Sequence, residues 1–250
     1  MQTGRGKTLT TAIKGFVSIV LVLMIAAGQA SANDRYWTGG SGNWSDQFDW
    51  NMTGLFVFSV PQAGDDVSLT SSDSTSRTIT YDYNYSAPLG SLTIDATGTG
   101  TMTLSQDGNA LWAVNEYVGF NGTGNFTQSG GTNTVTGSLS LGIGGTNGTY
   151  NLTGGTLDVK GSVTGGTGTS TVTIDGGSLT NNWSSINVTN FNVGYSNGSN
   201  GTFTMDYKNL TACLAPSERQ RNQSCEKSNR PIFQRFHSSS SCFHLSSKLF

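Results

Sequence analysis

Chemistry in this 250-residue chain has three possible carriers: carboxylates, aromatic rings, and the cysteines and histidines near the C-terminus. The carboxylates are Asp46 with Asp49, Asp65 with Asp66, Asp107, Asp158, Asp175 and Asp206. Two of them converging within about 10 Å in a groove would supply an acid and a base for polysaccharide cleavage. Asp107, Asp175 and Asp206 stand beside turn signals, however, where an Asp side chain bonds the local backbone instead. Trp37, Trp44 and Trp50 are the residue types of a sugar-stacking platform. Cys213, Cys225, His237, Cys242 and His244 offer ligand atoms without the Cys or His pair spacing of a metal site. Gly165-Gly-Thr-Gly-Thr-Ser170 approaches a calcium-binding nonapeptide, but Ser170 stands where a carboxylate ligand is needed. Residues 33–212 contain neither His nor Cys, which excludes a Ser-His-Asp triad, a Cys-His pair and a histidine-held metal from that stretch. No catalytic residue, cofactor or metal is therefore expected.

The elements that would position these groups are strands. Glycine accounts for 34 residues and charged residues for 11 %; with Thr, Ser and Asn abundant, this is a composition of strands and turns that weakens helix interiors. Charge is segregated along the chain: +3 over residues 1–32, −9 over 33–212 and +4 over 213–250. A body so poor in Lys and Arg cannot neutralise a run of phosphates, so no nucleic-acid partner is expected.

Arg5, Lys7 and Lys14 precede the apolar run Phe16–Ala27, and Ala30 and Ala32 follow as small residues. This is the pattern of a signal peptide over residues 1–32. About 12 apolar residues span only about 18 Å as a helix, short of the roughly 30 Å hydrocarbon core, so membrane involvement is expected only through export. The expected compartment is the cell surface or the extracellular space. Residues 213–250 contain no Gly but all three Cys and both His. They are read as a disordered basic extension, the product of a shifted frame or a truncated gene.

Between about 92 and 212 the chain repeats itself. Gly124, Phe126 and Gly130 map onto Gly148, Tyr150 and Gly154, each 24 residues on. Gly176 lies a further 22 residues along, and Gly201-Thr-Phe203 reads as a fourth copy after an insertion around Trp183 to Asn192. Upstream, Gly100-Thr-Met102 lies 24 residues before the Phe126 copy, and Leu92-Thr-Ile94-Asp95 marks another coil. Within each copy apolar residues alternate with Thr, Ser or Asn, the period of a half-buried strand. A sandwich would turn every 8 to 12 residues without a superperiod; a unit of about 23 residues matches one coil of a solenoid. The predicted fold is all-β: a right-handed parallel β-helix of about six coils over residues 67–212, roughly 30 Å long. Residues 33–66 form a cap segment, in which Tyr36, Trp37, Trp44, Phe48 and Trp50 cover the open first coil.

Phe126-Thr-Gln-Ser-Gly-Gly-Thr-Asn-Thr-Val135, Leu141-Gly-Ile-Gly144 and Gly148-Thr-Tyr-Asn-Leu-Thr-Gly-Gly-Thr-Leu157 resemble the autotransporter-associated β-strand repeats of bacterial exported proteins. Tyr36-Trp-Thr-Gly-Gly-Ser-Gly-Asn-Trp-Ser45 and Val60-Pro-Gln-Ala-Gly-Asp-Asp-Val67 are similar to the segment that opens many of them. The resemblance covers residues 36–212 and implies a surface-exposed or secreted solenoid with a structural, adhesive or display role. The partners it implies are an extracellular polysaccharide or another cell's surface, and it carries no catalytic motif. The chain departs from the family after residue 212, where neither an outer-membrane barrel nor a Pro-Glu-Pro sorting signal follows. The rival expectations are a β-helical polysaccharide lyase or hydrolase using Asp pairs, and a carbohydrate-binding module using Trp37, Trp44 and Trp50.

Overall fold

The computed structural model describes residues 32–52, 58–182, 185–196 and 199–206, with four two-residue strands nearer the C-terminus. The expected signal peptide, except Ala32, and most of the expected tail lie outside the described residues.

Alternation makes the strands. In Met102–Gln106 and Gly124–Gln128 fully buried residues alternate strictly with half-buried ones, so each strand turns one row inward and a Thr, Ser or Asn row outward. Strands this short cannot bury the inward row alone, and the chain covers it by laying each coil on the one before. The outcome is a β-solenoid of about six turns with two sheets. The narrow sheet has seven strands: Gly42–Asn43, Arg77–Tyr81, Met102–Gln106, Gly124–Gln128, Asn147–Leu152, Thr169–Ile174 and Asn190–Val193, neighbours in chain order and parallel throughout. The broad sheet runs from Asp34–Trp37 through Asp66–Ser71, Leu89–Ala96 and Ala110–Val118. Each of the next three coils supplies two short strands instead of one long one, as in Thr132–Val135 and Leu139–Leu141. Trp50–Met52 pairs antiparallel with Asp34–Trp37 and closes the first edge.

The inward row of the narrow sheet reads Ile79, Leu104, Phe126, Tyr150, Val172 and Phe191, one residue per coil in direct register. The Phe126 and Tyr150 rings stack with centroids 4.5 Å apart and planes 19° from parallel, a geometry that adds about 1 kcal/mol to the area buried.

Two copies differ from the sequence reading. Leu104, not Met102, lies beside Phe126, and Met102 lies beside Gly124; the slip is two residues, so the same side of the strand still faces inward. Phe203 does not join the Phe126 and Tyr150 row. It pairs with Leu179 in the broad sheet, while Phe191 takes the position above Val172. Gln234–Arg235 pairs antiparallel with Ser246–Ser247, and Ser238–Ser239 with Cys242–Phe243.

The corner from the narrow to the broad sheet needs a left-handed residue in successive coils. Asn109, Gly131 and Gly155 occupy it with φ of 58, 67 and 75°, and Asn is the non-glycine that best tolerates that region. A Cβ on Gly155 would sit 2.4 Å from the Gly131 carbonyl oxygen of the coil below. Gly155→Ala is therefore expected to lower stability by about 2–4 kcal/mol, from the backbone penalty and the collision together. Gly108 has nothing within 4 Å of where its Cβ would lie, so Gly108→Ala should stay within about 0.5 kcal/mol. Urea midpoints of the two variants measure the contrast.

Candidate functional site

The tryptophans proposed for sugar stacking build the cap. Trp44 and Trp50 are fully buried and Trp37 is 4 % exposed. Trp50 stands edge-on to Trp37 and Trp44 at 5.1 and 4.7 Å, and Trp44 edge-on to Tyr81 at 5.3 Å. Each indole N–H is used inside the molecule: Trp37 donates to the Gly40 carbonyl, Trp44 to the Tyr85 hydroxyl and Trp50 to the Trp44 carbonyl. Their ring faces are spent on one another and on the first coil, leaving no outward platform. Of the other expected cap residues, Tyr36 is half-buried and Phe48 is exposed.

Three of the candidate carboxylates, Asp65, Asp66 and Asp175, join separate chain segments, while Asp46 and Asp158 bond within two residues of themselves. Asp65 is buried, paired with Arg35 at 3.1 Å, and accepts the backbone N–H of Asn33 and of Gln62. Asp66 accepts from the Ser91 hydroxyl one coil on. Asp175 accepts from the backbone N–H and hydroxyl of Ser196 one coil on; these bonds hold its carboxyl below the usual range. Asp158 pairs with Lys160 at 2.6 Å. Asp46 accepts from the Phe48 N–H and caps the single turn of 3-10 helix, Gln47–Asp49. Partial burial, then repulsion from Asp46, raises the Asp49 carboxyl. Asp107 lies in the bend after Met102–Gln106, and Asp206 ends the strand Thr202–Asp206. Asp95, absent from the sequence candidates, ties its coil to the next by accepting from the backbone N–H of Asn121 and Gly122. Among the described residues no group of three His, Cys, Asp or Glu converges on a point where a metal could sit. Cys213, Cys225, His237 and His244 lie outside the described residues.

The sequence reading missed a polar chain inside the solenoid. Glu116 is completely buried, and Asn133 Nδ2 donates to its Oε2 at 3.0 Å and to the Tyr150 hydroxyl at 3.1 Å. The Tyr150 hydroxyl donates to Gln128 Oε1 at 2.6 Å. Gln128 Nε2 in turn donates to the carbonyls of Gly130, Gly131 and Thr156, so its buried amide is tied to the corner of its own coil and to the next coil. Burial pushes the Glu116 carboxyl up to about 8, against the opposing hydrogen bond from Asn133. Neither burial nor this network gives Glu116 an opening to a substrate.

The accessible feature that repeats is the outward side of the narrow sheet. Its first rank is Thr78, Thr103, Asn125, Thr149, Thr171 and Asn190. Its second is Thr80, Ser105, Thr127, Asn151, Thr173 and Asn192. Every member is half-exposed or exposed, and none is charged or aromatic. Asn190 Nδ2 donates to the Thr171 hydroxyl at 3.2 Å and Asn192 Nδ2 to the Thr173 hydroxyl at 3.4 Å. The β-branched threonines carry few χ1 choices, which makes the array stiff. Among the described residues the exposed aromatics are Phe48 and Phe58, which pack on each other, Phe120, which packs on half-buried Tyr117, and Tyr195, two residues beyond the last strand of this sheet; none is a member of the ranks. The alternation signalled outward Thr and Asn in each strand, but the ranks themselves become visible only when the coils are set in register. No protein-family model, curated protein or solved structure matches the chain.

Proposed function

We propose that the chain is an exported, non-catalytic β-solenoid whose repeated outer face serves as a structural or adhesive surface element. The observation that carries this reading is the array of two uncharged hydroxyl and amide ranks repeated over six coils. The carboxylates support it in a second way, because Asp65, Asp66, Asp95 and Asp175 are committed to tying the chain together. The resemblance to autotransporter-associated repeats and the signal-peptide pattern agree with display outside the cell.

The test is retention of the purified full chain on bacterial cells and on insoluble polysaccharide, compared with Thr127→Lys/Thr149→Lys. Retention is expected to fall by about tenfold in the double variant, since an unpaired lysine in the contact costs at least 1.4 kcal/mol. Release of reducing sugar from a polysaccharide, abolished by Asp46→Asn or Asp49→Asn, would overturn the non-catalytic reading.

A further inference from the structure

We infer that the outward face of the narrow sheet binds ice. The inference rests on the reading of this face as the displayed one and names what it meets.

A crystal surface is recognised by period, and this face has one in two directions. Neighbouring strands are spaced by about 4.8 Å along the solenoid, and residues i and i+2 of one strand by about 6.7 Å across it. Both intervals are close to repeats of the oxygen lattice of hexagonal ice, one along each axis of a prism plane. The register runs without a slip from Arg77–Tyr81 to Asn190–Val193, so the period holds over about 24 Å.

The chemistry of the ranks fits a water lattice better than a soluble ligand. A threonine presents a hydroxyl that anchors one water and a methyl around which others form a cage, whereas a charge would orient water radially about itself. Thr78, Thr80, Thr103, Thr127, Thr149, Thr171 and Thr173 supply the hydroxyl and the methyl together, Ser105 the hydroxyl alone, and no rank position carries a charge. A sugar would be held by stacking on an aromatic ring, yet the aromatic residues of these six strands, Tyr81, Phe126, Tyr150 and Phe191, belong to the two inward rows. Stiffness completes the match: Thr171 and Thr173 are braced by Asn190 and Asn192, and behind the face the Phe126 and Tyr150 rings stack.

The experiment partitions the full chain between growing ice and liquid, with serum albumin as the excluded control, alongside ice recrystallisation in the same solutions. The wild-type chain should enter ice and slow recrystallisation. Thr127→Lys/Thr149→Lys should fall to the albumin level. Thr134→Lys, on the broad sheet, should behave as wild type. Circular dichroism and the melting temperature establish that each variant is folded; should the lysine pair melt early, Thr127→Ser/Thr149→Ser removes the methyls alone and is still expected to lose most of the ice uptake. Exclusion of the wild-type chain from ice overturns the inference. If that excluded chain is still held by cells or polysaccharide through the same face, display survives and ice binding does not; if it is held by neither, both readings fall.

Discussion

Glu116→Gln is expected to make the solenoid markedly more stable at and above pH 8 while changing it little at pH 4. Glu116 is fully buried, and its carboxyl titrates at about 8 in the folded chain against 4.5 when unfolded. An acid whose folded value is raised holds its proton in the native state after the unfolded state has released it. Its full contribution is therefore present below pH 4.5, is lost as pH rises towards 8, and changes no further above that. The loss amounts to roughly 4–5 kcal/mol across the window. Glutamine keeps the shape without the ionisation and removes the slope. Neither Glu116 Oε1 nor Asn133 Oδ1 has a hydrogen-bond partner, and the proton on Glu116 turns one buried acceptor into a donor. Urea unfolding of both proteins from pH 4 to 9 reads the result; equal slopes would show that Glu116 is ionised in the folded state.

Trp50→Ala is the second large effect, with an expected loss of about 3–5 kcal/mol, the range for deleting a fully buried large aromatic ring. Trp50 has no exposed surface, touches Trp37 and Trp44 edge-on, and sits on the strand that closes the first edge. Its loss exposes the apolar end of a stack whose coils depend on their neighbours. Amide exchange should therefore rise first in Asp34–Trp37 and Arg77–Tyr81, and only later in Asn147–Leu152. A loss below 1 kcal/mol would mean that the cap is dispensable.

The stacked architecture was legible because Gly124 to Gly148 and Phe126 to Tyr150 keep one interval and one alternation, and the strands pair in that register. The exact register was not legible at Met102, because Met102 and Leu104 both satisfy the inward alternation and only the length of the next turn separates them. Phe203 misled for a related reason. Gly194 and Gly201 repeat the setting of Gly142 and Gly148: Gly194 and Gly142 share a left-handed φ, and a Cβ on Gly201 or Gly148 would meet the preceding coil. Yet Asn190–Val193 had already taken the next place in the narrow sheet.

The interior polar chain was hidden by a change of parity. Along Ala110–Val118 the buried positions are Leu111 and Ala113, then Glu116 and Val118. Alternation carried through Val114 would turn Asn115 inward and Glu116 outward; the strand instead shifts by one residue, leaves Val114 and Asn115 both outside the core and turns Glu116 in. Later coils break into two strands at this place, around Gly137. The tryptophans were legible as a cap and as a platform with equal ease, because residue type alone does not say which way a ring faces.

Adjacent coils lie in parallel register, and that register also sets the ranks. Thr127 and Asn151 are direct partners across two coils, about 4.8 Å apart at Cα, within the span of a disulfide. With Cys213, Cys225 and Cys242 replaced by serine, Thr127→Cys/Asn151→Cys should oxidise to an intramolecular disulfide in the folded chain. Thr127→Cys/Thr153→Cys, displaced by two residues to about 8 Å, should remain reduced. The opposite pattern, or equal failure of both pairs in folded protein, would contradict the stacked register.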